Sequence, residues 1–558
     1  MQLQFREKTV VFHPVPRRFL YLTLVPKNYG PKENCSNMPK QLILLTTLAL
    51  LVAIGCQEKD DNQPVPDGPS GPVEIPAAEL LSSPITIGMN PTGLTPLAGV
   101  ARIQSPQKTK VEIRIAGEHP VTATSAGAAF SHEIMVLGLY PGRENEVIVK
   151  ISNEDDSRFG YDTLEVETPP LPDFLPDIEI VKKQDSRMEP GWNLIEMSLG
   201  GQGYFRFYPL IFDPDGQIRW YMNLDFIQGW IGPFERLRNG NWLWAHSQAL
   251  YEYDMLGKEI NRWDIPGYYQ HHDQIEKPDG NLIVCVSKEG LDTRLDYIIE
   301  LGRNTGAVIK EWDLRQVMDV DRFDLTWNSS DWAHVNSVWY DETDEGLIIS
   351  ARHQGVVKVS KDNQLEWILA PHKGWGNAGP NGNGVNTANY LLTALNAAGT
   401  PFGQAAQQGT VDAPGFSWPW GQHACMIVPG GNIFCFDNSW KKNFGGNAPF
   451  IRAVEYRIDP GQRTVRQVWE YGKERGDEIH SENISDVDYL PATGNRLLTS
   501  GNIQDLGIRQ GRIIEVAYPG GDVVFEAVVR YSNAFSTGGG WAHSDIIYRG
   551  ERLPLYPD

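Results

Sequence analysis

An aromatic side chain recurs in one local setting six times: Trp220 in IRWY, Trp263 in NRWD, Trp312 in KEWD, Trp367 in LEWI, Trp469 in QVWE and Phe525 in VVFE. Successive spacings are 43, 49, 55, 102 and 56 residues. A period of that size, stretched only where residues 374–420 intervene, fits a four-stranded propeller blade, which cannot bury its faces alone and must stack on copies of itself. Turn signals precede the second strands: NGN at Asn239, PDGN at Pro278, DEG at Asp344, PGGN at Pro429 and TGN at Thr493, all hairpin sequences. The final stretch HSDIIYRGERLPLY reads as an opening strand without partners, and the unit around Trp220 lacks one. Pairing the two closes a ring, so the expected fold is all-β, with a six-bladed β-propeller over 191–558.

The 558 residues exceed one ordinary core. Residues 76–172 hold short alternating runs (KVEIRIAG, NEVIVKIS, DTLEVET) and are expected to form a small β-sandwich. The Pro-rich PPLPDFLPDIEI cannot continue a central strand, and 173–190 is read as a linker. The counts of 55 Gly, 38 Pro, 17 Trp and 21 Tyr suit strands joined by many turns. A formal net charge of -21 argues against a nucleic-acid partner, since phosphate backbones need clustered Lys and Arg.

The long apolar run Gln41–Ile54 follows Lys40 and leads directly into Gly55-Cys56 and the acidic, Pro-rich QEKDDNQPVPDGPSGP. It is too short to span a bilayer and reads as a secretory signal over 38–55. With Cys56 first after cleavage it resembles a bacterial lipoprotein signal, so lipid on Cys56 is expected to hold the exported protein at a membrane, in the periplasm or on the cell surface. Met38 is the expected start, residues 1–37 an over-extended beginning, and 56–75 a linker. Cys285, Cys425 and Cys435 then remain. Cys425 and Cys435 flank the PGGN turn as cross-strand neighbours or as plain buried thiols.

The innermost strands of a propeller line its channel, so equivalent positions converge. His272 (HHDQIEKPDGN), His334 (AHVNSVWYDETDEG), His423 (GQHACMIVPGGN) and His543 (WAHSDIIYRG) share one repeat position; His271 adjoins the first. Hairpin reflection sets His353, with Arg352 beside it, opposite His334, and Asn438 opposite His423. Asn336, two residues after His334, points to the same strand face. Such fixed donors suit an anion with several oxygens, which favours phosphoryl or sulfuryl substrates. Three imidazoles could instead hold zinc, but Arg352 would repel the ion and Asp273 is the one carboxylate at an equivalent channel position. No metal and no cofactor are expected.

At these residues the sequence resembles the bacterial arylsulfate sulfotransferase family, through DWAHVNSVWYDETDEGLIISARHQGVVKV with EWILAPHKGW behind it, QHACMI with FDN, and QVWEYGKERG. NPTGLTPLAG and GLYPGREN are similar to the family's small N-terminal domain. The resemblance implies nucleotide-independent, ping-pong transfer of a sulfuryl group from a phenolic sulfate ester to a phenol. By matching motif it implies His423 as nucleophile and future sulfohistidine, His334, Asn336 and Arg352 as sulfuryl-binding groups, and His272 as the remaining active-site histidine. It also implies a homodimer. Some members carry a cysteine pair in the insertion before the nucleophile; residues 374–420 have none. That segment, with Trp375, Phe402, Phe416, Trp418 and Trp420, is read as an aromatic lid over a phenol or as a plain surface loop. Lys473 and Arg475 in YGKERG are read as structural. A non-catalytic binder of sulfated or phenolic ligands and a metal-dependent hydrolase are the alternatives.

Overall fold

A computed structural model describes residues 71–557 except 228, 506, 507 and 539. The expected leader, Cys56 and most of the 56–75 linker lie outside the described residues. Among those described, no helix is long and apolar enough to cross a membrane.

The recurring aromatics stand on the fourth strands of six sheets among the described residues. Blade 3 shows the pattern: Tyr268–Glu276, Leu282–Lys288, Tyr297–Leu301 and Val308–Asp313, paired in that order. The structure also shows why tryptophan recurs. The indole N–H of Trp220 donates to Met255 O (2.9 Å), that of Trp263 to Arg303 O (2.8 Å) and that of Trp312 to Ser360 O (3.0 Å). Each acceptor lies in the outer turn of the next blade, so one side chain fills the inter-blade core and fastens two sheets. The turns are closed by their own side chains: Asn281 N–H donates to Asp279 Oδ1 (3.0 Å) and Gly346 N–H to Asp344 Oδ1 (2.9 Å).

The ring closes as expected. Ile546–Leu553 pairs with Trp192–Gly201, Leu553 opposite Trp192, supplying the innermost strand of blade 1. The segment read as a linker over 173–190 differs: its Asp177–Lys183 pairs with Asp522–Arg530 as a fifth, outermost strand of blade 6. The prolines lie before it, at Pro169, Pro170, Pro172 and Pro176, and an edge position tolerates the transition. Val73–Glu74, at the end of the other expected linker, adds in parallel to Arg158–Glu167.

The N-terminal strands share the 17-residue strand Gly99–Ile115, whose first part pairs with Thr86–Met89 and Ala129–Val136 and whose second pairs with Val121–Thr124 and Glu144–Asn153. Val111, Ile113 and Ile115 are buried while Glu112 and Arg114 are exposed, the alternation of a strand with one face on a core. Arg219 donates to Gly138 O (2.9 Å) and Tyr556 OH accepts from Leu137 N–H (2.8 Å), tying this sandwich to the propeller.

Residues 374–420 are neither lid nor plain loop. Phe416, Trp418 and Trp420 are buried with Trp367, Cys435 and Tyr456 between blades 4 and 5, and Arg452 donates to the Ser417 and Trp418 carbonyls (both 3.1 Å). Wide apolar rings gain more by filling an inter-blade gap than by facing water.

Candidate active site

The innermost strands of blades 3, 4 and 5 each carry a register irregularity near the same end: between Gln270 and Gln274, between Val335 and Ser337, and between His423 and Met426. Non-glycine residues take left-handed backbone there, at His272 (φ 65°), His334 (φ 52°) and Ala424 (φ 50°). Such bulges re-aim side chains, and strained backbone at equivalent positions is an observation that points to function. They bring His271, His272, His334, Arg352 and His423 to the wall of one cavity of about 560 Å³. His543 is not among them. Ahead of the closing strand Ala542 takes left-handed backbone (φ 61°), and the following His543 turns to Thr537 Oγ1 (2.7 Å).

The hydrogen bonds settle the protonation of the cluster. Asn438 Nδ2 donates to Ser481 O (2.8 Å) and Ile484 O (3.2 Å), so its Oδ1 faces His423 Nδ1 at 2.7 Å and must accept. His423 therefore carries its proton on Nδ1 and presents an unprotonated Nε2. Burial, then the Arg352 charge, lowers its pKa to about 3, so the ring is neutral at physiological pH.

A second chain runs beside it. His334 Nδ1 lies 2.9 Å from Asp331 Oδ2, His334 Nε2 3.1 Å from His272 Nε2, and His272 Nδ1 2.6 Å from Tyr548 OH. Burial raises the Asp331 pKa, with Arg294 and Arg352 opposing that shift; as a carboxylate it accepts, which places Nδ1–H on His334, Nε2–H on His272 and donation on the Tyr548 hydroxyl. Both rings are then neutral. Burial pushes both pKa values well down; His271 adds most to that effect on His272 and Arg352 most to that on His334. His271 packs on His272 with ring centroids 3.9 Å apart, and its pKa falls to about 4 through burial.

Arg352 supplies the charge. It is 4% exposed, donates one bond, to Glu482 O at 3.3 Å, and leaves its buried Nε–H unpartnered. The Trp327 and Trp440 rings lie 4.6 and 5.1 Å from its guanidinium carbon. Burial lowers its pKa to about 10, so it stays cationic. No carboxylate pairs with it among the described residues, and a buried guanidinium with spare donors is a receptor for an oxyanion.

Asn336 and Asn438 sit behind the cavity. Asn336 Nδ2 donates to Gln422 O (2.7 Å) and so holds the backbone of His423, as Asn438 holds its ring. Arg475, read as structural, bridges Glu526 (2.8 Å) and Glu478 (2.7 Å) away from the site. Sequence reasoning missed Asp331, Tyr548 and the aromatic walls Trp230, Trp327 and Trp541. Asp331 was within reach, one helical turn before His334 in DWAH, and Tyr548 lies on the recognised closing strand. The tryptophans stand outside the strands, where no period marks them.

Asp331, His334 and His353 bring ligand-type atoms within 4.8 Å of one another. His353 Nε2 is unpartnered, but the set does not fit a divalent ion: both His334 nitrogens are engaged, and the Arg352 charge lies beside them. Asp273 faces the other way, paired with Arg549 at 2.9 Å.

Comparison with known proteins agrees with this architecture. A family model described as arylsulfotransferase (ASST) matches residues 177–541, and one described as arylsulfotransferase Ig-like domain matches 86–169. Two similar proteins, both named arylsulfate sulfotransferase AssT, come from Escherichia coli O6:H1 and Lelliottia amnigena; each is 28% identical over 381 residues, 57% of this chain and 62% of its own length. The chain thus matches somewhat under two thirds of the length of these curated relatives. With the family model covering well over half of its residues, the chain belongs to the arylsulfotransferase family.

Proposed function

We propose that the protein moves a sulfuryl group from an aryl sulfate to a phenol in two displacements through His423. The observation that carries this reading is the unprotonated Nε2 of His423, fixed through Nδ1 by Asn438, in one cavity with Arg352, whose buried Nε–H has no partner. In the first displacement Nε2 attacks sulfur, the S–O bond to the aryl group breaks, and the sulfuryl group stays on the histidine as phenolate departs. The Arg352 donors hold the sulfuryl oxygens as charge moves. The His272 Nε2–H turns to the departing phenolate oxygen, and the His334 Nε2 so freed accepts the hydrogen bond of the incoming phenol, whose released proton balances the one the phenolate takes from water. That phenol attacks the sulfohistidine and restores Nε2. Trp230, Trp327 and Trp541 offer flat walls for the aryl ring. Donor and acceptor exchange one ester for another, so no nucleotide or metal enters the balance.

The test is release of 4-nitrophenol from 4-nitrophenyl sulfate by the purified protein, without nucleotide and with chelator, with and without phenol. Phenol-stimulated release with stoichiometric phenyl sulfate is expected, together with a sulfuryl adduct on the His423 peptide when the acceptor is withheld. Tight binding of the ester with no release over hours would replace transfer by ligand binding; loss of activity to chelator would favour a metal hydrolase. We further propose export with lipid on Cys56 and a homodimer; incorporation of labelled palmitate that Cys56→Ser abolishes, and a molar mass by light scattering of twice that of one chain, are the expected outcomes.

A further inference from the structure

Cys425 and Cys435 stand on the first two strands of blade 5, His423–Ile427 and Ile433–Asp437, either side of the PGGN turn. The register slips between them: His423 pairs with Phe436 and Met426 with Phe434, so Ala424 and Cys425 together oppose Cys435. That slip turns the two thiols toward each other, with Sγ atoms 2.8 Å apart, and both residues are buried, at 2% and 0% exposure. Cys285, also buried, lies in blade 3. Cys425 borders a second cavity, of about 870 Å³, at the opposite end of the channel from the histidines, whereas Cys435 does not. Burial, with Cys425 alongside, raises the Cys435 thiol well above its ordinary pKa, which makes Cys435 the partner that reacts second.

We propose that Cys425 and Cys435 are a redox pair that closes to an intrachain disulfide across the hairpin carrying His423 and Asn438. The oxidant is an external disulfide, either a small one or that of an exchange protein. The Cys425 thiolate attacks one donor sulfur, forming a mixed disulfide and releasing one donor thiol. Cys435 then gives up its proton and attacks the Cys425 sulfur, releasing the second donor thiol. Two protein thiols become one disulfide, and one donor disulfide becomes two thiols. The bridge pins the strand pair two residues from His423, and it involves no step of the transfer chemistry.

The experiment uses the full chain, incubated natively with oxidised glutathione, quenched by acid, denatured and alkylated. A linked peptide pair spanning Cys425 and Cys435, about 2 Da lighter than the sum of the two reduced peptides, is expected, with Cys285 alkylated and Cys425 and Cys435 protected. Alkylation of both Cys425 and Cys435 after oxidation overturns the proposal, as does glutathione that remains on Cys425 in the wild-type chain without closure. A Cys435→Ser variant should trap the mixed disulfide on Cys425; trapping elsewhere overturns the assigned order. The oxidised wild type should melt several degrees above the reduced form, a difference that Cys435→Ser abolishes. An equal difference in both would place the effect elsewhere.

Discussion

The two ends of the channel are built from the same innermost strands and hold opposite chemistry. At one end Arg352 meets neutral imidazoles and keeps unpartnered donors. At the other, Arg549 is paired with Asp273 at 2.9 Å and attracted by Asp486 and Glu196. One buried arginine is attracted by Asp331 and Glu482 without a direct ion pair, and the other is bound to a carboxylate. The difference separates a cation held for a ligand from a cation held for the fold, although each sits on or beside a blade's inner strands.

The largest break in this contrast comes at the histidine end. His423→Ala should lower transfer at least ~10³-fold with an unchanged melting curve, measured by 4-nitrophenol release and circular dichroism. Arg352→Gln should cost about 10²–10³-fold in kcat/KM while leaving Tm within a few degrees. Arg549→Gln should do the reverse: leaving Asp273 and Asp486 unpaired costs roughly 3–5 kcal/mol, seen as a lowered denaturation midpoint, with kcat of the folded fraction retained. Equal kinetic damage from both arginine variants would erase the distinction. Tyr548→Phe removes one hydrogen bond to His272 and should slow transfer about tenfold, most of it in kcat.

Much of the fold was readable because a propeller repeats. Trp220, Trp263 and Trp312 recur since each makes the same bond to the next blade, and the orphan strand at the end had one vacancy to fill. His272, His334 and His423 were visible for the same reason. What broke the repeat was hidden. His543 matches the others in sequence, yet its ring bonds Thr537 Oγ1 (2.7 Å) and is not on the cavity wall. The tryptophans of 374–420 carry the composition of a lid, but only the packed structure shows that blades 4 and 5 leave a gap for them. Asp177–Lys183 resembled a linker because an edge strand needs only one bonded side. Tyr548 stands on the recognised closing strand, but its bond to His272 crosses from blade 1 to blade 3, which no spacing in the sequence reveals.

The smallest effect tests the contrast by pH, because the two ends carry opposite signs. At the histidine end, burial holds the pKa of His271 and His353 at about 4 and that of His423 at about 3, below the unfolded value. The unfolded chain therefore binds more protons, and stability is lost as pH falls from about 6.5 toward 4. At the acidic end, burial raises Asp486 to about 6 and Glu551 to about 7. There the folded chain binds more protons, and stability is lost as pH rises from about 4 to 7. The contributions oppose one another across the same window, so the wild-type Tm should change little between pH 4.5 and 6.5, by roughly 1–3 °C. Asp486→Asn removes part of the acidic contribution and should make Tm rise more steeply with pH, whereas His271→Asn should make it rise less or fall. Slopes that shift in the same direction in both variants would mean that the two ends do not titrate independently, and the division of the channel into a ligand end and a structural end would have to be redrawn.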